Sequence, residues 1–299
     1  MHSRDFEVVS GPALRGPLRF WTQVVAAILV LWVAGCGSAA FLHPQRELGP
    51  PPSGYAVADV WVAATDGVRL HGWDLQPRGA TRGTVVFFHG NAGNIGTHVG
   101  GVLWLVDAGY RVLALDYRGF GRSAGKADVA GAHADAAAFL AAVLARDDLG
   151  AAPVAVLGQS FGGAVALHAV ATSPHKGRMG LLIVDSAFSS YRHIAQEKAA
   201  GCLCTWPLQG VIADGFADLD GRFLPEAWAP RVAPVPLLVL HGGRDAVVPV
   251  EHGRRLHAVA ADPKGYWEVQ GAGHVRAFSS AGLRAELLRQ LESRLVLLP

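Results

Sequence analysis

Two short serine motifs could each carry a nucleophile. Residues 158–162 read GQSFG and residues 121–125 read GRSAG, so both fit the pattern G-x-S-x-G. This pattern places a serine on a tight strand-to-helix turn, where the first amides of the helix face the reacting group. Ser160 follows the apolar run VAVL and leads into a helical run, whereas Ser123 leads into another glycine and a lysine. We therefore predict Ser160 as the nucleophile and Ser123 as a loop serine.

A serine nucleophile needs an imidazole base, and the base needs a carboxylate that fixes its tautomer. His274 lies five residues after the apolar run YWEV, and Asp245 lies five residues after the run LLVL. Asp185, which ends the run LLIV, is the alternative acid. We predict His274 as the base and Asp245 as its partner, because a separate strand then lies between the acid and nucleophile strands.

A glycine-rich loop, HGNAGN at residues 89–94, follows the apolar run TVVFF. Such backbone can turn an amide toward the nucleophile from the side opposite Phe161. We predict that the N–H groups of Asn91 and Phe161 form an oxyanion hole. No Gly-Lys-Ser/Thr follows the loop, so it does not fit a phosphate-binding loop.

Several other residues at strand ends have simpler interpretations. His89 and His241 are each followed by glycine and are interpreted as turn-supporting residues, and Asp116 as the anchor of its own loop. Cys202 and Cys204 are one residue apart, and no second pair at ligand spacing accompanies them. We therefore predict no metal site and treat both cysteines as small apolar side chains.

These polar residues need a sheet that brings the strand ends together. Short apolar runs alternate with helical stretches at 97–108, 128–145, 161–171, 250–260 and 281–291. Such alternation predicts an α/β fold, with a mostly parallel sheet covered by helices on both faces. The alternation stops over about 186–235, and an insertion there would lie over the carboxyl ends of the strands. We predict that this insertion is a lid.

The N-terminal part of the chain has a different character. Residues 24–42 contain no charge, and their length is close to the roughly 20 residues of a membrane-spanning helix. Arg15 and Arg19 precede them, which predicts a cytoplasmic N-terminus and an extracytoplasmic main domain. The sequence VAGC ending at Cys36 also resembles a lipoprotein signal, so an uncleaved anchor and lipid attachment at Cys36 both stay open. The predicted units are a membrane segment at 1–42, a linker at 43–56 and one domain at 57–299.

Composition excludes other classes of protein. The 299 residues are 51% hydrophobic and 17% charged, which is incompatible with intrinsic disorder. Lys+Arg of 26 against Asp+Glu of 24 leaves a net charge of +2 without a basic cluster, so we predict no nucleic-acid partner. Three cysteines cannot stabilise a chain of this size by disulfides.

The motifs HGNAGN, DYRGFGRS, GQSFGG, HGGRD and GAGH occur in that order. Together they resemble the Bem46-like branch of the α/β-hydrolase superfamily, over about residues 57–291. The resemblance implies hydrolysis of carboxylic esters or thioesters through an acyl-enzyme, without a metal or organic cofactor. It also implies Ser160 as nucleophile, Asp245 as acid and His274 as base. Relatives commonly carry an N-terminal membrane segment.

Three functions follow from this sequence. The first is a membrane-tethered serine hydrolase acting on a small acyl ester. The second is a peptidase with the same triad, which would need a carboxylate such as Glu197, Asp214 or Glu226 to hold the ammonium group of a free N-terminus. The third is a non-catalytic binding module. The natural substrate, its acyl-chain length and the oligomeric state stay open.

Overall fold

The structure is a computed structural model that describes residues 41–201 and 205–295. Its strands are β1 (His43–Pro44), β2 (Ala56–Ala63), β3 (Arg69–Gln76), β4 (Gly83–Phe88), β5 (Ala92–Gly93), β6 (Tyr110–Asp116), β7 (Val154–Gln159), β8 (Met179–Asp185), β9 (Leu237–Gly242) and β10 (Lys264–Val269). Eight of them form one sheet in the order β10-β9-β8-β7-β4-β6-β3-β2. In this order, the neighbouring strands β10, β9, β8, β7, β4 and β6 all run parallel to one another, and β3 runs antiparallel to both β2 and β6. The predicted α/β architecture is confirmed.

Helices cover both faces of this sheet. The α-helices are Ile95–His98, Leu103–Asp107, Val129–Leu144, Phe161–Thr172, Tyr191–Ala200, Gln209–Asp214, Ala217–Phe223, Pro225–Trp228, Val250–Val259 and Ala281–Arg294. Short 3-10 helices occur at Val99–Gly101, Asp147–Leu149, Lys176–Arg178, Trp206–Leu208, Ala229–Val232 and Ala277–Ser279.

The central strands are fully apolar because side chains on both of their faces are buried. Val86 and Phe88 of β4 pack with helices 129–144 and 161–172. Val85 and Phe87 point to the other face, where they pack with helix 281–294. Alternate residues of a strand face opposite sides of a sheet, so a strand buried on both sides needs apolar residues throughout.

The prediction of one continuous helix at 97–108 is wrong. The stretch 97–108 contains two short α-helices, separated by the 3-10 helix Val99–Gly101. Gly100 and Gly101 lie at the break, and each glycine in a helix interior costs about 1 kcal/mol relative to alanine. Val102 leaves helical geometry, with φ −121° and ψ 0°.

The insertion between β8 and β9 consists, in its described part, of short helices and turns. Three of its helices, Tyr191–Ala200, Gln209–Asp214 and Ala217–Phe223, supply side chains that pack on the core. Cys202 and Cys204 lie outside the described residues, so the interpretation of these cysteines stays a prediction.

The segment before β2 is attached to the fold. Leu42 is buried in the core, and β1 pairs in parallel with β5 through His43–Ala92 and Pro44–Gly93. Phe41 and Leu42, which were expected in the membrane segment 1–42, and the first residues of the expected linker 43–56 therefore belong to the fold, because their side chains pack on the core and their backbone pairs with β5. Residues 1–40, with Cys36, lie outside the described residues. No helix within 41–201 and 205–295 is long and apolar enough to cross a membrane.

Candidate active site

Ser160 lies on a strained turn between β7 and helix 161–172. Its φ of +54° and ψ of −120° are uncommon for a residue with a side chain. The turn is fixed because Ser160 N–H donates to Asp185 O at 2.8 Å and Gly163 N–H donates to Ser160 O at 2.9 Å. A Cβ at Gly158 would collide with Gly162 O, and a Cβ at Gly162 would collide with Phe88 O. The two glycines of the motif are therefore required by close backbone approach.

The second serine motif has a structural role. Ser123 is fully buried, accepts a hydrogen bond from His71 N–H at 2.8 Å and donates to Asp116 O at 2.6 Å. Its hydroxyl thus connects two strand ends, and the prediction of a loop serine is confirmed.

His274 and Asp245 are in direct contact. The distance from His274 Nδ1 to Asp245 Oδ2 is 2.7 Å, and the N–H groups of Val247 and Val248 donate to Asp245 Oδ1 at 2.8 Å each. Burial acts to raise the pKa of Asp245, but the bonds from His274 and from the Val248 N–H outweigh it and hold this pKa below its ordinary value. An ionised carboxylate only accepts hydrogen bonds, so the Nδ1 of His274 carries the proton and its Nε2 is left as the basic nitrogen.

The structure ties the His274 loop to the turn at Ser160. Val275 N–H donates to Ser186 Oγ at 3.1 Å, and the adjacent residue Asp185 accepts from Ser160 N–H. Ser186 and Val275 both have positive φ, of 57° and 54°. Among the described residues Ser160 Oγ makes no hydrogen bond to His274, and in enzymes without substrate such bonds are often long.

Asp185 has other partners. Its carboxylate accepts from Gln159 Nε2 at 3.1 Å and from Ser186 Oγ at 3.0 Å. Complete burial raises the pKa of Asp185 to about 6, against the lowering effect of these two bonds. The carboxylate partner of His274 is thus Asp245, and the Asp185 side chain is bound by Gln159 and Ser186 instead.

His241 supports the loop that carries Asp245. Its Nε2 lies 2.9 Å from Val248 O and 3.5 Å from Asp245 Oδ2, and the ring is fully buried. This contact agrees with its interpretation as a turn-supporting residue.

The loop after β4 passes directly beside Ser160. A Cβ on Gly90 would lie 3.8 Å from Ser160 Cβ, and Asn91, Ser160 and Phe161 line one cavity. In the part of the chain that the structure describes, the N–H groups of Asn91 and Phe161 donate to no acceptor. A ligand oxygen that reaches either N–H group therefore displaces no protein acceptor among the described residues.

Buried polar groups hold this loop from below. Ile95 N–H donates to Asp116 Oδ1 at 2.8 Å, and His89 Nε2 lies 3.3 Å from the same oxygen. The other ring nitrogen of His89, Nδ1, lies 2.7 Å from Gly90 O. Asp116 thus anchors the loop at 89–94 as well as its own strand end.

The N-terminal segment is also hydrogen-bonded to this loop, a contact that no pattern in the sequence predicts. Asn91 Nδ2 donates to Phe41 O at 2.7 Å, and His43 N–H donates to Asn91 O at 2.8 Å. Farther along, Asn94 Nδ2 donates to Gln45 O at 3.1 Å. β1 has two residues, which is too short to produce a periodic sequence signal.

A cavity of about 550 Å³ opens beside Ser160. Its walls are mainly apolar and come from the N-terminal segment, the lid and the loop after β9; they include Phe41, Phe188, Ile194, Ile212, Phe216 and Val248. The Phe41 ring makes edge contacts with Phe161, Phe188 and Phe216 at centroid distances of 5.8, 5.7 and 5.9 Å. Cavities of this size and character hold small molecules with apolar groups.

Comparison with known proteins places the chain in a family. The family model described as "Serine aminopeptidase, S33" matches residues 79–212. The uncharacterized protein YfhR of Escherichia coli is 32% identical over 270 residues, 89% of each chain, and protein bem46 of Schizosaccharomyces pombe is 29% identical over 71% of this chain and 69% of its own.

Solved structures agree in fold. An esterase of Pyrococcus furiosus, Pf2001, superimposes with a TM-score of 0.68 at 19% identity, over 85% of this chain and all of that chain. This similarity, like the sheet order, shows the fold of an α/β hydrolase. The chain belongs to the α/β-hydrolase superfamily, in its Bem46-like branch.

Proposed function

We propose that this protein is a serine hydrolase that cleaves carboxylic ester or thioester bonds through an acyl-enzyme. The observation that carries the proposal is the pairing of Asp245 with His274, on a loop that is hydrogen-bonded to Ser186, next in the chain to Asp185, whose backbone oxygen accepts from the N–H of the strained Ser160 in the wall of an apolar cavity. A buried carboxylate that orients an imidazole is the arrangement that activates a serine hydroxyl.

In the proposed reaction, Ser160 Oγ attacks the carbonyl carbon of the substrate while His274 Nε2 takes the hydroxyl proton. The resulting oxyanion accepts hydrogen bonds from the N–H groups of Asn91 and Phe161. His274 then gives its proton to the leaving oxygen or sulfur, and the acyl group stays on Ser160. Water, deprotonated by His274, releases the acid and restores the serine. Asp245 stabilises the imidazolium in both halves of the reaction.

A peptidase using the same three residues is the second candidate, and the description of the matching family model favours it. The carboxylates that could hold a substrate ammonium have other positions. Glu197 Oε2 contacts His252 Nε2 at 2.9 Å, Asp214 pairs with Arg192, and neither carboxylate lines the cavity, nor does Glu226. The apolar walls suit an acyl chain better than a charged N-terminus.

The test is labelling with a fluorophosphonate probe followed by hydrolysis assays. We expect labelling of the wild type and of Ser123→Ala, which alters the other G-x-S-x-G motif, and no labelling of Ser160→Ala. Labelling that persists in Ser160→Ala would contradict the assignment, and an unlabelled wild type would support the binding module. Faster turnover of aminoacyl amides than of acyl esters would favour the peptidase.

We further propose that the N-terminal segment before Phe41 tethers the domain to a membrane, with the hydrolase domain on the extracytoplasmic side. The support is the uncharged run 24–42 and the two arginines before it. Cys36→Ser distinguishes the two forms of tether. A variant that stays membrane-bound without acylation indicates an uncleaved anchor, and release from the membrane indicates lipid attachment at Cys36.

A further inference from the structure

Four exposed apolar side chains lie on, or directly next to, chain segments that line the cavity beside Ser160. They are Trp206, Leu208, Val211 and Val247, with exposed fractions of 58, 40, 36 and 46%. We call this set the mouth patch. Exposed apolar groups of this kind, when clustered, mark surfaces that contact another apolar phase or partner.

The position of the mouth patch follows from its neighbours. Val247 is itself a cavity-lining residue, so its exposed part lies at the opening. Trp206, Leu208 and Val211 lie on the two consecutive helices Trp206–Leu208 and Gln209–Asp214. In the chain they stand between Thr205 and Ile212, and these two residues line the cavity. Lys198 is exposed and also lines the cavity, which adds one positive charge at its edge.

The N-terminal segment reaches the same cavity. Phe41 forms part of its wall and is the first residue that the structure describes. Because Phe41 and Leu42 pack in the domain, an anchor would use the part of the uncharged run that precedes Phe41, and the bilayer would then lie next to that residue. A lipid on Cys36 would leave five residues to Phe41, and five extended residues span at most about 18 Å. Either tether holds Phe41, and with it one wall of the cavity, close to the membrane.

We propose that the mouth patch rests on the bilayer surface, and that the substrate is an amphiphilic ester that passes from the bilayer into the cavity. This inference rests on the proposed function at Ser160 and on the proposed tether. Tryptophan and aliphatic side chains are accommodated at the membrane interface, and Lys198 suits anionic lipid headgroups. The apolar chain of the substrate then moves from one apolar environment to another as its ester group approaches Ser160.

The experiment uses the full chain reconstituted into vesicles of phosphatidylcholine and phosphatidylglycerol. Two substrates are compared, a water-soluble acetyl ester and a long-chain ester dissolved in the same vesicles. Trp206→Gln and Val211→Asp alter the mouth patch, and Val259→Asp is the matched control, since Val259 is 38% exposed on another helix. We expect each patch variant to lower the turnover of the vesicle ester, relative to the soluble ester, by about tenfold, as expected for one apolar side chain removed from an apolar phase.

A second readout does not depend on activity. Brominated lipids quench tryptophans in contact with acyl chains, so quenching in the vesicles should decrease in Trp206→Phe. An unchanged substrate ratio in both patch variants, or unchanged quenching in Trp206→Phe, overturns the proposal. The proposal is also overturned if the wild type is a dimer that Val211→Asp converts to a monomer without changing the ratio of the two ester turnovers. A second copy of the chain would then cover the mouth patch. If wild type hydrolyses neither ester but the quenching decreases as expected, the function at Ser160 fails while the membrane contact stands.

Discussion

Asn91 donates a hydrogen bond of 2.7 Å from its side-chain amide to the backbone oxygen of Phe41, fifty residues earlier in the chain. The same asparagine lines the cavity at Ser160, and its backbone oxygen accepts from His43 N–H. One residue thus connects the proposed oxyanion hole to the segment that follows the predicted membrane tether. The position of its N–H depends on that segment.

Asn91→Ala removes the side-chain bond but keeps the backbone N–H. We expect kcat for an acyl ester to fall by up to about 10²-fold, because a displaced oxyanion donor acts much like a missing one. The measurement is the rate of acyl-enzyme formation with a chromogenic ester. Asn94→Ala is the control, since its amide binds the same segment at Gln45 O farther along. Equal losses of kcat in the two variants would mean that the segment acts on stability alone.

Asp245→Asn keeps the shape of the side chain and removes its charge. We expect kcat to fall by about 10⁴-fold, because the amide no longer holds His274 in the tautomer that leaves Nε2 basic. Asp185→Asn is the matched control and should lose far less activity, because Asp185 binds Gln159 and Ser186 instead. A loss in Asp185→Asn as large as that in Asp245→Asn would exchange their roles.

Residues at the ends of apolar strands could be predicted from the sequence. Ser160, Asp245 and His274 each follow a short apolar run, and the carboxyl ends of parallel strands gather at one edge of the sheet. The order of the strands also limited the choice of acid. The positions of strand ends in the sequence are therefore enough to predict which edge of the sheet carries the proposed triad.

Contacts made by short or irregular segments could not be predicted. Phe41 and Asn91 are far apart in the chain, and two-residue strands such as β1 have no periodicity. The lid helices at 191–223 were missed because they are short and do not follow the alternation of the main sheet. The contacts of Glu197 with His252 and of Asp214 with Arg192 were also unforeseen, because ion pairs between separate helices leave no pattern in sequence.

The burial of Asp185 predicts a dependence of stability on pH. Burial raises its pKa to about 6 in the folded protein, from an ordinary value of about 3.9. Between these pH values the folded protein therefore binds more protons than the unfolded chain. The contribution of the Asp185 carboxyl group to stability is present in full below about pH 4 and is lost as pH rises through about 6. The shift corresponds to about 2 to 3 kcal/mol. Thermal unfolding of wild type and Asp185→Asn from pH 4 to 7 should show this loss in the wild type alone. Equal slopes in both proteins would contradict it.

Phe41 offers a test of the cavity that is independent of the triad. Phe41→Ala removes the ring that contacts Phe161, Phe188 and Phe216, and so enlarges the cavity at the end of the N-terminal segment. For the wild type we expect kcat/KM to rise by about fourfold per added methylene until the acyl chain fills the cavity, since each buried methylene contributes about 0.8 kcal/mol. In Phe41→Ala the maximum should move to a longer chain, and short esters should lose kcat/KM through weaker contacts. Phe41→Leu, which keeps an apolar side chain, should lie between the two. A series of esters of increasing chain length measures the maximum in all three proteins, and an identical maximum would mean that the acyl chain does not occupy this cavity.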